Sequence, residues 1–110
     1  MTQRFVDFGA VNAAARANLL AVLARVLPNG RRERREYLAL NPRRADRRLG
    51  SFQINLQTGK WADFATNDKG GDPISLVAYV ENISQFDAAL RLAQMLGVEV
   101  KGRSRRRCVR

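Results

Sequence analysis

The spacing of hydrophobic residues near the start of the chain predicts a helix. Between about Ala10 and Leu27, apolar side chains recur every three to four positions, which is the repeat of an amphipathic helix. These positions are Val11, Ala15, Leu19, Leu23 and Val26 or Leu27. The sequence Pro-Asn-Gly at 28–30 is typical of a helix end, so we expect one helix that ends there.

In the middle of the chain the spacing changes to that of β-structure. A short apolar run from Tyr37 to Leu40 lies between two arginine clusters and predicts a strand flanked by basic loops. Phe52 to Leu56 alternate between apolar and polar, and after a turn apolar residues return at Trp61 and Phe64. This pattern predicts a β-hairpin whose two phenylalanines point inward, into the core.

A capped helix is predicted after the hairpin. Residues 65–71 are rich in turn formers. Asp72 and Pro73 then have the positions of an N-cap and of a first helical residue, and we expect the helix to run to about Glu81.

A last helix begins at Ser84, which forms the S-x-x-D start of a capping box with Asp87. Its predicted buried face consists of Phe86, Ala89 or Leu90, Ala93 and Leu96. Gly97 is the expected C-terminal stop.

Together these elements predict an α+β fold. A small three-stranded antiparallel sheet, made of the hairpin and one further strand, packs with an N-terminal helix and two C-terminal helices. We divide the chain into an N-terminal helical segment (1–30), an α+β module (31–100) and a basic tail (101–110). The tail has no acidic residue and no apolar repeat, so we expect it to be disordered until it meets an anion.

The composition argues against catalysis and against a metal site. The 110 residues include no histidine and one cysteine, Cys108, so the usual general base, an intrachain disulfide and a cysteine cluster for zinc are all excluded. We expect no enzymatic activity, no metal and no cofactor. No apolar run approaches the roughly 18 residues of a membrane span and the N-terminus lacks a signal-peptide pattern, so we expect a cytoplasmic protein without a membrane partner.

The charge of the chain predicts an anionic partner. There are 20 lysines and arginines against 10 acidic residues, a net charge of +10. Arginine supplies most of the excess, and its planar guanidinium group suits phosphate. The basic residues expected to bind nucleic acid are Arg31, Arg32, Arg34, Arg35, Arg43, Arg44, Arg47, Arg48, Lys60, Arg103, Arg105, Arg106 and Arg107.

Two arrangements of these arginines are open. If the loops around residues 31–35 and 43–48 lie at one end of the sheet, they form a single patch for phosphates. The alternative is a solubilising surface whose charge is reduced by Glu33, Glu36 and Asp46. The arginines of the tail fit a phosphate clamp, a dispensable tail or a contact with an acidic protein.

Trp61 is the expected contact for unpaired bases. It follows Lys60 on a hairpin strand, so we expect a partly exposed ring that stacks on a base; core packing is the alternative. Gln53 and Asn55, on the polar side of the hairpin, are candidates for hydrogen bonds to nucleotides, and ordinary solvent exposure explains them equally well.

Three carboxylates raise the question of a magnesium site, because hard cations prefer clustered oxygen ligands. They are Asp63, Asp68 and Asp72. Asp72 is already explained as an N-cap and Asp68 as a turn residue, so we predict no metal there.

The segment from Tyr37 to Val98, just over half of the chain, resembles the zinc-binding (CHC2-type) domain at the N-terminus of bacterial and phage DNA primases. The stretches that carry the resemblance are NPRRADRRLGSF, GKWADFATNDKGGDPISLVAYV and NISQFDAALRLAQMLGV. They match that family's order of knuckle, strand, hairpin, second knuckle, glycine turn and two helices. The resemblance therefore implies a zinc-ribbon-like fold.

The zinc ligands of that family are absent here. Pro42 and Ala45 stand near the first ligand pair and Asp63 and Thr66 near the second, and one extra residue precedes the glycine turn. A structural zinc contributes about 10 kcal/mol or more to folding, so other contacts must replace it. We expect aromatic packing, with the N-terminal helix as a lid, to do so. The aromatic residues in question are Tyr37, Phe52, Trp61 and Phe64.

The resemblance implies a module that binds single-stranded template DNA in replication or priming, or in the transfer of a phage, plasmid or other mobile element. Nothing in the chain resembles the catalytic domain of a primase. We therefore expect a non-catalytic nucleic-acid-binding module that favours DNA, and single strands over duplex. The alternative is an adaptor or inhibitor that binds a primase, a helicase or another protein with the same fold and charge.

Overall fold

The computed structural model describes residues 4–44, 47–99 and 101–102 of the chain. Its elements in chain order are β1 (Arg4–Phe5), α1 (Phe8–Ala17), α2 (Leu19–Val26), β2 (Arg31–Glu33), β3 (Glu36–Ala39), β4 (Phe52–Asn55), β5 (Trp61–Asp63), β6 (Asp68–Gly70), α3 (Pro73–Glu81), α4 (Gln85–Leu96) and β7 (Lys101–Gly102). The predicted α+β class is confirmed.

The main sheet has five strands, so the predicted count of three is wrong. Strands β2 to β6 lie in chain order, and each pairs antiparallel with the next. The hairpin of β4 and β5 and the strand near residues 37–40 are confirmed. The two missed strands are three residues long and have no apolar alternation, so their sequence gives no strand signal. Separately, β1 pairs with β7, so Lys101 and Gly102 of the predicted disordered tail form a strand.

The N-terminal helical segment is two helices, which corrects the prediction of one. The break is at Asn18, whose backbone leaves the helical region with φ −129° and whose side-chain amide donates to the carbonyl of Ala14 at 2.9 Å. The predicted apolar positions are still the ones that face inward, because Val11, Ala15, Leu19, Leu23 and Leu27 are all buried.

The predicted caps of the last two helices are confirmed. Asp72 accepts from the backbone N–H of Ser75 at 2.7 Å, and Ser75 interacts reciprocally with the backbone of Asp72, a full capping box before Pro73. Ser84 accepts from the N–H of Asp87, and Gly97 ends α4 at φ 73°.

The predicted inward position of Phe86 is wrong. Phe86 lies in the first turn of α4 and is 40% exposed. The stripe of α4 that packs inward is made of smaller side chains, which allow the helices to approach closely. Its buried members are Ala88, Ala89, Leu92 and Ala93.

Two hydrophobic clusters hold the elements together. One lies among the helices and includes Val11, Ala15, Val22, Ile74, Val77 and Leu92. The other lies between the helices and one face of the sheet, and includes Leu19, Leu23, Leu27, Tyr37, Phe52, Ile54, Trp61 and Leu76. Residues of the 1–30 segment and of the 31–100 module occur in both. The helices therefore cover one face of the sheet, and within residues 4–44, 47–99 and 101–102 no helix lies over the other face.

Candidate nucleic-acid interface

The two faces of the five-stranded sheet differ in burial. Residues directly opposite each other on neighbouring strands share a face, and successive residues on a strand alternate between faces. Tyr37, Ile54 and Trp61 lie in one row on the helix-covered face, and all three are buried. We call the opposite face, which carries the intervening residues, the open face.

A row of five residues crosses the open face and is basic at both edges. The strand register sets Arg31, Leu38, Gln53, Ala62 and Lys69 side by side, one residue from each strand. Arg31 and Lys69 are exposed, and the three central side chains are half-buried. The row is about 19 Å long, because four strand spacings of roughly 4.8 Å separate its ends. We call it the cross-strand row.

The neighbouring row on the open face is acidic. It consists of Glu33, Glu36 and Asn55. Glu33 forms a 2.8 Å ion pair with Arg31, and Asn55 donates to Glu36 at 3.3 Å. Arg34 and Arg35 of the adjoining turn line the same depression as Glu33 and Glu36, so opposite charges offset each other at this end of the open face. The exposed Arg47 and Arg48 belong to the loop on the other side of the cross-strand row, so a phosphate chain is expected there.

The two arginine clusters do not form the single patch that was one of the sequence alternatives. Arg34 and Arg35 form the turn before β3, whereas Arg43 and Arg44 follow its far end. β3 has four residues, so about 13 Å of strand separates the two clusters. Arg31 and Arg32 are in the edge strand β2 rather than in a loop, and they lie along the side of β3.

Arg43 and Arg44 contact the protein itself. The guanidinium of Arg43 donates to the carbonyl of Tyr79 at 3.0 Å and lies 5.1 Å from the centre of the Tyr79 ring. Arg44 donates to the carboxylate of Asp63 at 3.0 Å, and its side chain is 28% exposed. Arg47 and Arg48, further along the same loop, are exposed. Of this cluster, Arg47 and Arg48 are therefore the better candidates for phosphate contacts.

A polar network with a buried centre joins the 41–44 loop to the end of the hairpin. The side-chain amide of Asn41 donates to Asp63 at 2.7 Å and to the hydroxyl of Tyr79 at 2.8 Å, and that hydroxyl donates to Asp68 at 2.7 Å. Asp63 is fully buried and Asn41 nearly so. We call Asn41, Arg44, Asp63, Asp68 and Tyr79 the junction network. It links the two segments that the resemblance aligns with the zinc knuckles.

The junction network keeps Asp63 ionised. Burial raises the pKa of Asp63, but hydrogen bonds from Arg44, Asn41 and the N–H of Ala65, with the charge of Arg44, outweigh burial and hold the pKa below its ordinary value. From the sequence, Asp63 was a candidate for a metal ligand or a residue near the position of a zinc ligand, and nothing pointed to Arg44 as its partner. The network could not be read from sequence, because its members are up to 38 residues apart.

The expected exposure of Trp61 is wrong. Its ring is 6% exposed, packs edge-on against Phe52 with centroids 6.1 Å apart, and donates its indole N–H to the hydroxyl of Ser75 at 3.0 Å. Gly70 permits this packing, because a Cβ at that position would clash with the indole nitrogen and with the Ser75 hydroxyl. Trp61 is a core residue, the alternative considered from the sequence, and it offers no free face to a base.

Phe64 has the exposure that was expected of Trp61. It was predicted in the core, but its side chain is 68% exposed. Phe64 directly follows the buried Asp63, so by alternation it lies toward the open face. The strand rule could have found it, because Trp61 and Phe64 are three residues apart and cannot both point inward from one regular strand.

The aromatic packing expected from the sequence is present only in part. Tyr37, Phe52 and Trp61 are buried, and the N-terminal helices cover them through Leu19, Leu23 and Leu27. Phe64 lies outside this packing. The loop at residues 41–44 is held to Asp63, at the end of β5, by the polar junction network.

The remaining candidates have mixed surroundings. Lys60 is exposed in the hairpin turn. Gln53 and Asn55 lie on the open face as expected, but Gln53 donates to the carbonyl of Gly50 at 2.6 Å and Asn55 caps the turn after β4. The tail residues lie outside the described residues. They are Arg103, Arg105, Arg106 and Arg107.

Within residues 4–44, 47–99 and 101–102 there is no group of three or more Cys, Asp or Glu side chains placed to hold a metal ion. In the same part of the chain, no helix is long and apolar enough to cross a membrane. Comparison of the sequence with protein-family models and with curated proteins finds no match.

Proposed function

We propose that this chain is a non-catalytic nucleic-acid-binding module that prefers single-stranded DNA. The observation that carries the proposal is the open face, an uncovered sheet surface with a basic residue at each edge of the cross-strand row and the exposed Arg47 and Arg48 in the loop before β4. Arg31, Arg47, Arg48 and Lys69 would contact phosphates, which is the sequence-independent part of binding.

Single strands fit this surface better than duplex. Duplex readers commonly insert a helix into the major groove. The described helices instead use their apolar sides to cover the sheet, and the arginine clusters lie on strands and loops. A sheet face can contact the phosphates and the exposed bases of one strand together.

The proposal is tested by fluorescence anisotropy with labelled single-stranded and duplex DNA of equal length at several salt concentrations. We expect tighter binding to the single strand and a steep loss of affinity with salt. Arg47→Ala combined with Arg48→Ala should weaken binding and reduce the slope of log affinity against log salt by about 1.4, since each phosphate contact on a single strand contributes about 0.7.

The matched control is Arg16→Ala with Arg25→Ala, which removes the same charge from exposed positions on α1 and α2. If the control lowers affinity and slope as much as the loop variant, binding is general attraction to a basic protein and the proposed site is wrong. If neither DNA binds at low salt, the proposed function fails. Capture of a primase or helicase that survives nuclease treatment would then support the adaptor alternative.

We further propose that the module is a zinc-free relative of the primase zinc-binding domain. Two observations support this: the loops aligned with the ligand-bearing knuckles are joined by the junction network, and the glycine turn leads into the capped helix α3. If the network replaces the metal, EDTA should leave the thermal unfolding midpoint unchanged. A fall in the midpoint that added zinc reverses would contradict the proposal.

A further inference from the structure

We propose that Phe64 stacks on an unpaired base of the bound strand, and that the strand runs past it along the basic side of the open face. This inference rests on the proposed function and assigns to Phe64 the role that the sequence suggested for Trp61. It identifies the ligand as a strand with accessible bases rather than as phosphate in general.

The exposure of Phe64 is the first step. Phe64 is 68% exposed, whereas the other exposed large apolar residues among those described are at most 41% exposed. A phenylalanine left in water forgoes the stabilisation that burial of its ring would give. A ring displayed to this extent is therefore available to a partner with an apolar face.

The backbone around Phe64 is held in place. Its own N–H donates to the carbonyl of Ser51 at 2.9 Å, which continues the pairing of β4 and β5 beyond the strand end. The N–H of the next residue, Ala65, donates to the carboxylate of Asp63 at 2.8 Å. These bonds fix the backbone on both sides of the exposed ring, so stacking of a base has to order only the side chain of Phe64 and not the segment that carries it.

The surroundings of Phe64 select a base over an apolar protein surface. The other exposed large apolar residues, Phe8, Leu20 and Phe86, lie on α1, α2 and α4, so Phe64 is not continuous with them along the sheet. Phe64 bonds to Ser51, at the end of the loop that carries Arg47 and Arg48, and Ala62, two residues before Phe64 on the same face, belongs to the row that ends in Lys69. An exposed aromatic ring on a surface that also carries exposed cations is the combination by which single-strand binders hold bases and phosphates together.

The charges on the two sides of the cross-strand row favour one path for the strand. Glu33 and Glu36 lie on the far side of the row from Phe64, where they offset the charge of the neighbouring Arg34 and Arg35. The loop with the exposed Arg47 and Arg48 is on the Phe64 side, so the strand is expected to cross from Arg31 toward Lys69 on that side, with Gln53 within the path.

The test compares Phe64→Ala with wild type on two labelled single strands of equal length, one normal and one with abasic sugars in place of all nucleosides. Phe64→Ala should weaken binding to the normal strand on the order of tenfold, the typical effect of one stacked base, without changing the salt slope. It should leave binding to the abasic strand unchanged. Phe64→Tyr should retain affinity, and Phe86→Ala, which removes a ring from α4, should have no effect.

The outcomes separate this inference from the proposed function. If wild type binds and the Arg47/Arg48 variant is weakened but Phe64→Ala is not, the stacking role is wrong and the proposed function stands. Equal weakening on normal and abasic strands also overturns stacking. If wild type binds no DNA at low salt, both proposals fail. If Phe64→Ala dissociates a dimer, seen by analytical ultracentrifugation, and leaves DNA affinity unchanged, the ring belongs to a contact between copies of the chain.

Discussion

Phe52 begins β4 and Phe64 directly follows its partner strand β5, yet one phenylalanine is fully buried and the other is 68% exposed. Phe52 packs against Trp61 and Tyr79 on the helix-covered face. Phe64 follows β5 toward the open face, where no helix packs in the part of the chain that the structure describes. The helix-covered face therefore carries the packing that stabilises the fold, and the open face is the surface on which we propose that DNA binds.

The contrast between the two faces is tested most directly by making the same substitution on each of them. Phe52→Ala should lower the free energy of unfolding by about 3–5 kcal/mol, because it removes a ring from a packed core. Phe64→Ala should change it by no more than about 0.5 kcal/mol, since no packed contact is lost. Urea unfolding followed by circular dichroism measures both. Similar losses for the two variants would mean that Phe64 is part of the core.

A second comparison sets the buried ion pair of the junction network against a surface pair. Asp63→Asn removes the charge that Arg44 and Asn41 contact inside the protein, and we expect it to cost about 1–3 kcal/mol of stability. Glu33→Gln breaks the Arg31–Glu33 pair, whose side chains are 61% and 57% exposed, and should cost less than about 1 kcal/mol. A larger effect at Glu33 than at Asp63 in the same urea experiment would reject a structural role for the network.

The same variants give a pH signature. Because the folded-state pKa of Asp63 lies below its unfolded value, the unfolded chain binds the proton more readily. The stability contributed by Asp63 is therefore fully present above about pH 4 and is lost as the pH falls through the folded-state pKa. The unfolding free energy of wild type should fall more steeply below pH 4 than that of Asp63→Asn, and parallel curves would contradict the assignment.

Local signals in the sequence were reliable where one side chain acts on its own backbone. Asp72, Ser84 and Gly97 were predicted as helix ends and are helix ends, because a cap needs only a hydrogen bond or a left-handed residue within one turn. The β4–β5 hairpin was predictable because the alternation of its strands and its turn lie within one short stretch of chain. Strand β6 was not, since its three residues read as a turn and are held in the sheet by pairing with β5.

The candidate site was predictable in its charge and less so in its residues. The arginine excess is visible in the composition, but it does not tell Arg44, which contacts Asp63, from the exposed Arg48. The residue that we propose for base stacking is Phe64, whereas the sequence suggested Trp61. That suggestion assumed that Trp61 would lie near solvent because the basic Lys60 precedes it. Burial of Trp61 depends on Gly70 and Ser75, which lie on other elements.

The sequence by itself determined the α+β class, the helix caps and the strong positive charge, because helix and strand periods, capping bonds and net charge all depend on residues close together in the chain or on composition. Only the tertiary structure decided that the sheet has five strands, that Asn41, Asp63 and Arg44 form a buried network, and that Phe64 rather than Trp61 meets solvent. These features depend on contacts between segments that are far apart in the sequence. Which face of the sheet the helices cover is decided only by those contacts.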